Sequence, residues 1–200
     1  MPENNISSKD TCPQTQPSFT HKQLVEVAYR WLIKNGRCGI ALKELKTLSL
    51  EIPDVIGFGS GGFSAIVECK CSRSDFLGDK KKPFRKNPQL GMGSHRYYCC
   101  PAGLIKIEEL PEGWGLIFVN EKGKATLVHR PFFDKTNEYG NTYRTQYSHE
   151  KNIIAEHGVM YNALRRLYIS GAFPAIYEKD YARNKDKDYL LNLNQTTDQL

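Results

Sequence analysis

No run of about 18 apolar residues occurs in this 200-residue chain, so a membrane-crossing helix is not expected. The opening stretch, MPENNISSKDTCPQTQP, holds no apolar signal core, so secretion is not expected and a cytoplasmic location is. The five histidines show no metal-ligand spacing; His149 and His157 read as surface residues of a helix. The six cysteines are Cys12, Cys38, Cys69, Cys71, Cys99 and Cys100, and none forms the C-x2-C pair that zinc wants. Cys69 and Cys71 with Cys99 and Cys100 are a formal four-thiolate set. They sit in apolar runs, however, and read as small core residues rather than as a metal site or a disulfide framework. No Ser/His/Asp or Cys/His nucleophile set stands out, and no internal repeat or low-complexity block is visible.

What is present begins with charge. Lys and Arg number 28 against 22 Asp and Glu, a formal net charge of +6. Such an excess fits a polyanionic partner, although a mildly basic protein without one would show the same value. Two hundred residues suffice for one ordinary domain with a packed core. Residues 1–18 read as a flexible polar arm, 19–177 as a single domain and 178–200 as a polar, mixed-charge tail.

Along the chain, Thr20-x-x-Gln23 offers a capping box with Phe19 as its staple. The helix that follows runs to about Lys34, with Leu24, Val27, Ala28, Trp31 and Leu32 on one stripe. Strands are expected at Ile40–Leu45, at Glu51–Phe58 (broken by Pro53, so at an edge or a bulge) and at Phe63–Ser72. A basic stretch, Asp79–Lys86, then links to a glycine-rich loop over residues 87–94. Further strands are expected at His95–Cys100, Trp114–Val119 and Ala125–His129. Residues 131–148 are aromatic and polar without a period. Ser148–Ser170 reads as a helix in which Ile153, Ile154, Val159, Ala163, Leu164 and Leu167 supply apolar contacts. The order predicts an α+β or mixed α/β fold, a mixed central sheet flanked by helices.

The chemistry concentrates between Ile52 and Phe76, IPDVIGFGSGGFSAIVECKCSRSDF. Residues two apart on a strand share a face, so Glu68 and Lys70 project together and Cys69 points the other way. A hairpin turn at Gly59–Gly62 would bring Asp54 near Glu68. Two carboxylates converging beside a lysine suit a hard divalent cation such as Mg2+, which could activate water and offset charge on a phosphate, with Lys70 stabilising the pentavalent phosphorus. Glu-x-Lys alone is common on a solvated edge strand; the upstream Pro53-Asp54 at this interval gives it weight. Three acids compete to complete the set: Glu26, opposite the apolar stripe of its helix; Glu51, on the other face from Asp54 by alternation; and Glu44, at the end of the first strand, which is favoured. Gly57-Phe-Gly59-Ser-Gly61-Gly62 satisfies G-x-G-x-x-G but has no helix after it to bind a pyrophosphate, and reads as a hairpin connection. Lys80, Lys81, Lys82, Arg85 and Lys86 follow the candidate strand closely and are placed to grip a phosphate backbone.

Pro53-Asp54 followed by Glu68-Cys69-Lys70 resembles the PD-(D/E)xK nuclease superfamily. The wider stretches IVECKCSRSDFLGDKKKPF, HRYYCCPAGLI and LPEGWGLIFV resemble its MmcB-like DNA-repair branch over roughly residues 40–130. The resemblance implies a restriction-endonuclease-like core and a metal-dependent DNA endonuclease acting in repair, restriction or mobile-element processing. It implies Asp54 and Glu68 as ligands of Mg2+ or Mn2+, Lys70 as the catalytic lysine, and Glu44 as the first-strand acid. Ser72, Asp75 and Asp79 match supporting positions. The glycine-rich insert at residues 87–94 departs from the family's shorter linker. The partner implied is DNA, whether duplex, single-stranded or branched, and a homodimer is open. The rival expectation is a non-catalytic nucleic-acid-binding module of the same fold.

Overall fold

Thr20 caps the first helix. Its hydroxyl accepts the Gln23 N–H while the Gln23 side chain accepts the Thr20 N–H, the expected capping box. Helix α1 spans His21–Asn35 and ends at Gly36. It buries Leu24, Val25, Ala28, Trp31 and Leu32, and Phe19 packs against the same cluster. In this computed structural model residues 19–177 are described; the expected arm at 1–18 and tail at 178–200 lie outside them.

The protein is α+β, with a six-stranded mixed sheet flanked by helices. The strands are β1 (Ile40–Lys43), β2 (Val55–Phe58), β3 (Ser64–Cys69), β4 (His95–Pro101), β5 (Trp114–Val119) and β6 (Ala125–His129), and they neighbour one another in chain order. β1, β2 and β3 form an antiparallel meander, β3, β4 and β5 run parallel, and β6 returns antiparallel. A parallel pair needs a crossover. The one between β3 and β4 contains α2 (Arg73–Asp79) and α3 (Pro83–Lys86).

Two apolar layers sandwich the sheet. On one face α1 packs on Val55, Ala65, Val67, Cys69, Tyr97, Cys99 and Ile117. On the other, Ile56, Ile66, Tyr98, Cys100 and Leu116 meet Phe76 of α2, together with Ala155 and Val159 of α4 (Ile153–Ile169). β3 is buried at every position, as expected of a strand covered on both faces. The cysteines at 38, 69, 99 and 100 are free and buried, as small core residues should be.

Several boundaries differ from the expectations. β1 stops at Lys43 and β2 starts only at Val55, so residues 44–54 form an irregular loop and Pro53 lies just outside the ladder. β3 stops at Cys69 because Ser72 caps α2, its hydroxyl accepting the Asp75 N–H. The stretch read as a basic linker is thus largely helical. A two-stranded hairpin, β7 (Phe132–Thr136) with β8 (Thr142–Gln146), occupies the region read as lacking a period. Nearly all of its positions are exposed, so no buried face imposed an alternation on its sequence. His149 is not a surface helix residue: it is buried ahead of α4, with its ring 3.1 Å from the Gly113 carbonyl oxygen. In α4 the inward contacts come from Ala155, Val159, Met160 and Ala163, whereas Ile153, Ile154, Leu164 and Leu167 face outward.

Candidate metal centre and its ion network

The β2–β3 register pairs Val55 with Val67, so Asp54 sits one step beyond the ladder, level with Glu68. Its Oδ2 accepts the Cys69 N–H at 2.7 Å, which turns the carboxylate toward the end of β3. Glu44 lies beside it because the Glu44 N–H donates to the Asp54 carbonyl at 3.0 Å, extending the β1–β2 ladder past Lys43. Glu44 has φ of 46°, a left-handed conformation that costs a non-glycine residue roughly 1–2 kcal/mol. His21, first residue of α1, completes the group: its Nε2 is 3.4 Å from both Glu44 Oε1 and Asp54 Oδ1.

His21, Glu44 and Asp54 each offer a ligand atom, and these atoms all lie within 4.8 Å of one another. Glu44 therefore takes the place favoured for it beside Asp54, and His21 joins them unforeseen. His21 carried no metal spacing in the sequence because its partners come from the two ends of the 44–54 loop, far from it along the chain. The other two candidate acids are occupied. Glu26 accepts from Lys43 at 2.7 Å and Arg30 at 3.3 Å. Glu51 does not face away from the site as alternation predicted. The loop breaks the strand period, and Glu51 is buried against Arg85 and the Met92 N–H.

Glu68 is not a member of the cluster. Its Oε2 lies 3.3 Å from Lys70 Nζ and 3.5 Å from Lys82 Nζ, and its Oε1 is 3.2 Å from Arg85 Nη2. That last contact is an ion pair without hydrogen-bond geometry, so both buried atoms lack a hydrogen-bond partner. Asp79 is the hub of the network. It accepts from Lys70 at 3.1 Å, Arg85 Nε at 2.7 Å and the Tyr98 hydroxyl at 2.7 Å, with Lys82 Nζ at 2.7 Å. Arg85 also reaches Glu51 at 2.6 Å and lies over the Trp114 ring at 4.5 Å.

The electrostatics follow from this layout. Burial, then the charge of Glu68, pushes the Asp54 carboxyl up to about 6, although the Cys69 N–H and His21 oppose the shift. Burial disfavours charge on Lys70, but Glu68 and Asp79 outweigh it and hold the lysine above its ordinary range. It is thus a cation near neutrality, suited to stabilising negative charge rather than to removing a proton. Burial likewise opposes ionisation of Asp79, yet Arg85 and Lys70 hold its carboxyl well below the usual carboxylate range.

The basic stretch divides. Lys80, Lys81 and Lys86 are exposed, as a phosphate-gripping surface requires. Lys82 is half-exposed and engaged with Asp79 and Glu68. Arg85 departs from its expected role: its side chain is 2% exposed and held by Glu51 and Asp79, so it cannot reach a nucleic-acid backbone. Among the supporting positions, Ser72 caps α2 and Asp75 Oδ2 accepts the Cys71 N–H at 3.4 Å.

No family model matches this chain, and no curated protein matches it. Among solved structures it is similar to the SPO1766 protein of unknown function from Silicibacter pomeroyi, at 20% identity over 84% of this chain and 95% of that one, with a TM-score of 0.49. At that level the neighbour lends nothing to a functional reading. Among the described residues, no helix is long and apolar enough to cross a membrane.

Proposed function

We propose that this chain is a cytoplasmic, divalent-metal-dependent DNA endonuclease of the PD-(D/E)xK type, similar to the MmcB-like DNA-repair branch, hydrolysing phosphodiester bonds. One observation carries the reading: Asp54 and Glu44 converge with His21 next to the Glu68–Lys70 pair. The group has the character of a cation site. It joins two carboxylates to an imidazole, and one of those carboxyls is raised by burial and by a neighbouring acid. Oxygen ligands suit Mg2+ or Mn2+, and the imidazole shifts the preference toward Mn2+. The buried Oε1 of Glu68, which lacks a hydrogen-bond partner, is the further oxygen such a site would draw on.

Each residue then has a task. Asp54, Glu44 and His21 would hold the cation, with Glu68 beside them as a further oxygen. A cation held there supplies charge against the phosphate oxygens and acidifies water. Lys70, kept protonated by Glu68 and Asp79, stabilises the charge that builds on phosphorus. Asp79 and Arg85 position Lys70 and Glu68 without touching substrate. Lys82 lies over Glu68 and Asp79 with 41% of its side chain exposed, and an incoming phosphate would take it as a contact. Lys80, Lys81 and Lys86, all exposed, would contact the DNA backbone.

The test is cleavage of duplex, single-stranded and branched DNA with Mg2+ and with Mn2+. Activity should vanish with a chelator, in Asp54→Ala and in Lys70→Ala. A second reading has its own observation, since Lys70 is only 4% exposed and fully ion-paired. On that reading the fold binds nucleic acid without turnover, and salt-sensitive DNA binding would persist unchanged in Asp54→Ala with no cutting by the parent protein.

A further inference from the structure

The ion network at the end of β3 sets three buried carboxylates, Glu51, Glu68 and Asp79, against three cations, Lys70, Lys82 and Arg85. Of these six side chains only that of Lys82 reaches water: it is 41% exposed, against 4% for Lys70 and 2% for Arg85. Its backbone is pinned between α2 and α3. The Lys82 N–H donates to the Asp79 carbonyl at 3.1 Å, and the Lys82 carbonyl accepts the Arg85 and Lys86 N–H groups at 3.0 and 3.3 Å. Its side chain caps nothing. Its Nζ lies 2.7 Å from Asp79 Oδ1 and 3.5 Å from Glu68 Oε2. Neither acid depends on it. Asp79 keeps Lys70, Arg85 and the Tyr98 hydroxyl, and Glu68 keeps Lys70 and Arg85. A half-exposed ion pair contributes little to stability, and a released lysine stem regains rotamer freedom. The ammonium can therefore leave by rotation of its own side chain while the buried pairs stay in place.

We propose that Lys82 is a built-in competitor of the divalent cation: paired with Glu68 and Asp79 it weakens the hold of Asp54, Glu44 and His21 on the ion, and a DNA phosphate that draws it away relieves the competition. The inference rests on the cation site proposed above and concerns how that site is regulated.

The link runs through Glu68. The pairing of Val55 with Val67 sets Asp54 level with Glu68, and the charge of Glu68 is felt at the Asp54 carboxyl. An ammonium resting on Glu68 therefore offsets part of the negative field that Asp54 shares with it. Because the two positive charges oppose each other, each lowers the affinity for the other by the same factor. Lys70 and Arg85 also offset Glu68, but their burial makes that contribution fixed. Only the contribution of Lys82 can be withdrawn.

Calorimetric titration of the full chain with Mn2+ at low salt, without DNA, tests the proposal. Lys82→Met should bind Mn2+ about tenfold more tightly than the parent, and Lys82→Arg, which keeps the charge, should match the parent. Lys81→Met removes the same charge from an exposed neighbour, where solvent and salt screen it, and should stay within about twofold of the parent. A purely structural role for Lys82 would leave Mn2+ affinity unchanged or lower it, so the sign of the change decides. If Lys82→Met loses its helical circular dichroism, Lys82→Gln carries the same comparison. Binding by the parent that Lys82→Met does not tighten, or that Lys81→Met tightens equally, would overturn this inference and leave the cation site standing. No Mn2+ binding by the parent or by Lys82→Met would overturn both.

Discussion

The carboxyl of Asp54 is fixed by the Cys69 N–H yet stands buried in the field of Glu68, and the second effect wins: its pKa rises from 3.8 to about 6. The folded chain therefore holds this proton more tightly than the unfolded chain does. The stability linked to it is fully present below about pH 4 and is lost as pH rises through about 6. Asp54→Asn, which keeps an oxygen to accept the Cys69 N–H, should flatten that slope and raise Tm by several degrees at neutral pH while abolishing cation binding. Thermal melts from pH 4 to 7.5 and calorimetric Mn2+ titrations check both halves. In the parent chain Mn2+ affinity should fall as pH drops through about 6, because protons and cation compete for one carboxylate. Asp79 is the opposite case, a buried acid held ionised by Arg85 and Lys70. Asp79→Ala leaves two buried cations without their shared partner and should cost about 3–5 kcal/mol in urea unfolding. Lys82→Ala removes only a half-exposed member and should cost no more than about 1 kcal/mol.

Among the elements, the α2–α3 segment separates what charge composition suggests from what packing permits. Five basic residues read as one phosphate-binding run, but the turn into α3 sends Arg85 inward to Glu51 and Asp79 while Lys80, Lys81 and Lys86 stay in water. Replacing those three lysines together by Ala should weaken DNA binding and make its log–log salt slope shallower by roughly 0.9 for each phosphate left unneutralised. Fluorescence anisotropy at several salt concentrations measures this. Arg85→Ala should instead act on stability, with little change in the salt slope per folded molecule. The strands with strong burial, β3, β4 and β5, were legible because two covering layers demand continuous apolar runs. The Thr20 cap and the Asp54–Glu68–Lys70 spacing were legible because their geometry is local. The β7–β8 hairpin was not, since it buries almost nothing, and the inward course of Arg85 was not, since it depends on a crossover rather than on neighbours in sequence. His21 escaped for the same reason: α1, the 44–54 loop and the start of β2 bring it to Asp54.

For the molecule as a whole, the net charge of +6 favours encounter with a polyanion, while the proposed cation site concentrates acid beside the end of β3. The two fit together if the basic surface draws a phosphate backbone toward acids that need a divalent ion between them and it. The measurement that tests this most directly is cleavage of end-labelled DNA by the purified chain with Mn2+, run beside Asp54→Ala and Lys70→Ala. The account predicts fragments from the parent protein alone, abolished by a chelator and absent in both variants. Intact DNA in every lane with both Mg2+ and Mn2+, or fragments that persist in Asp54→Ala, would contradict it.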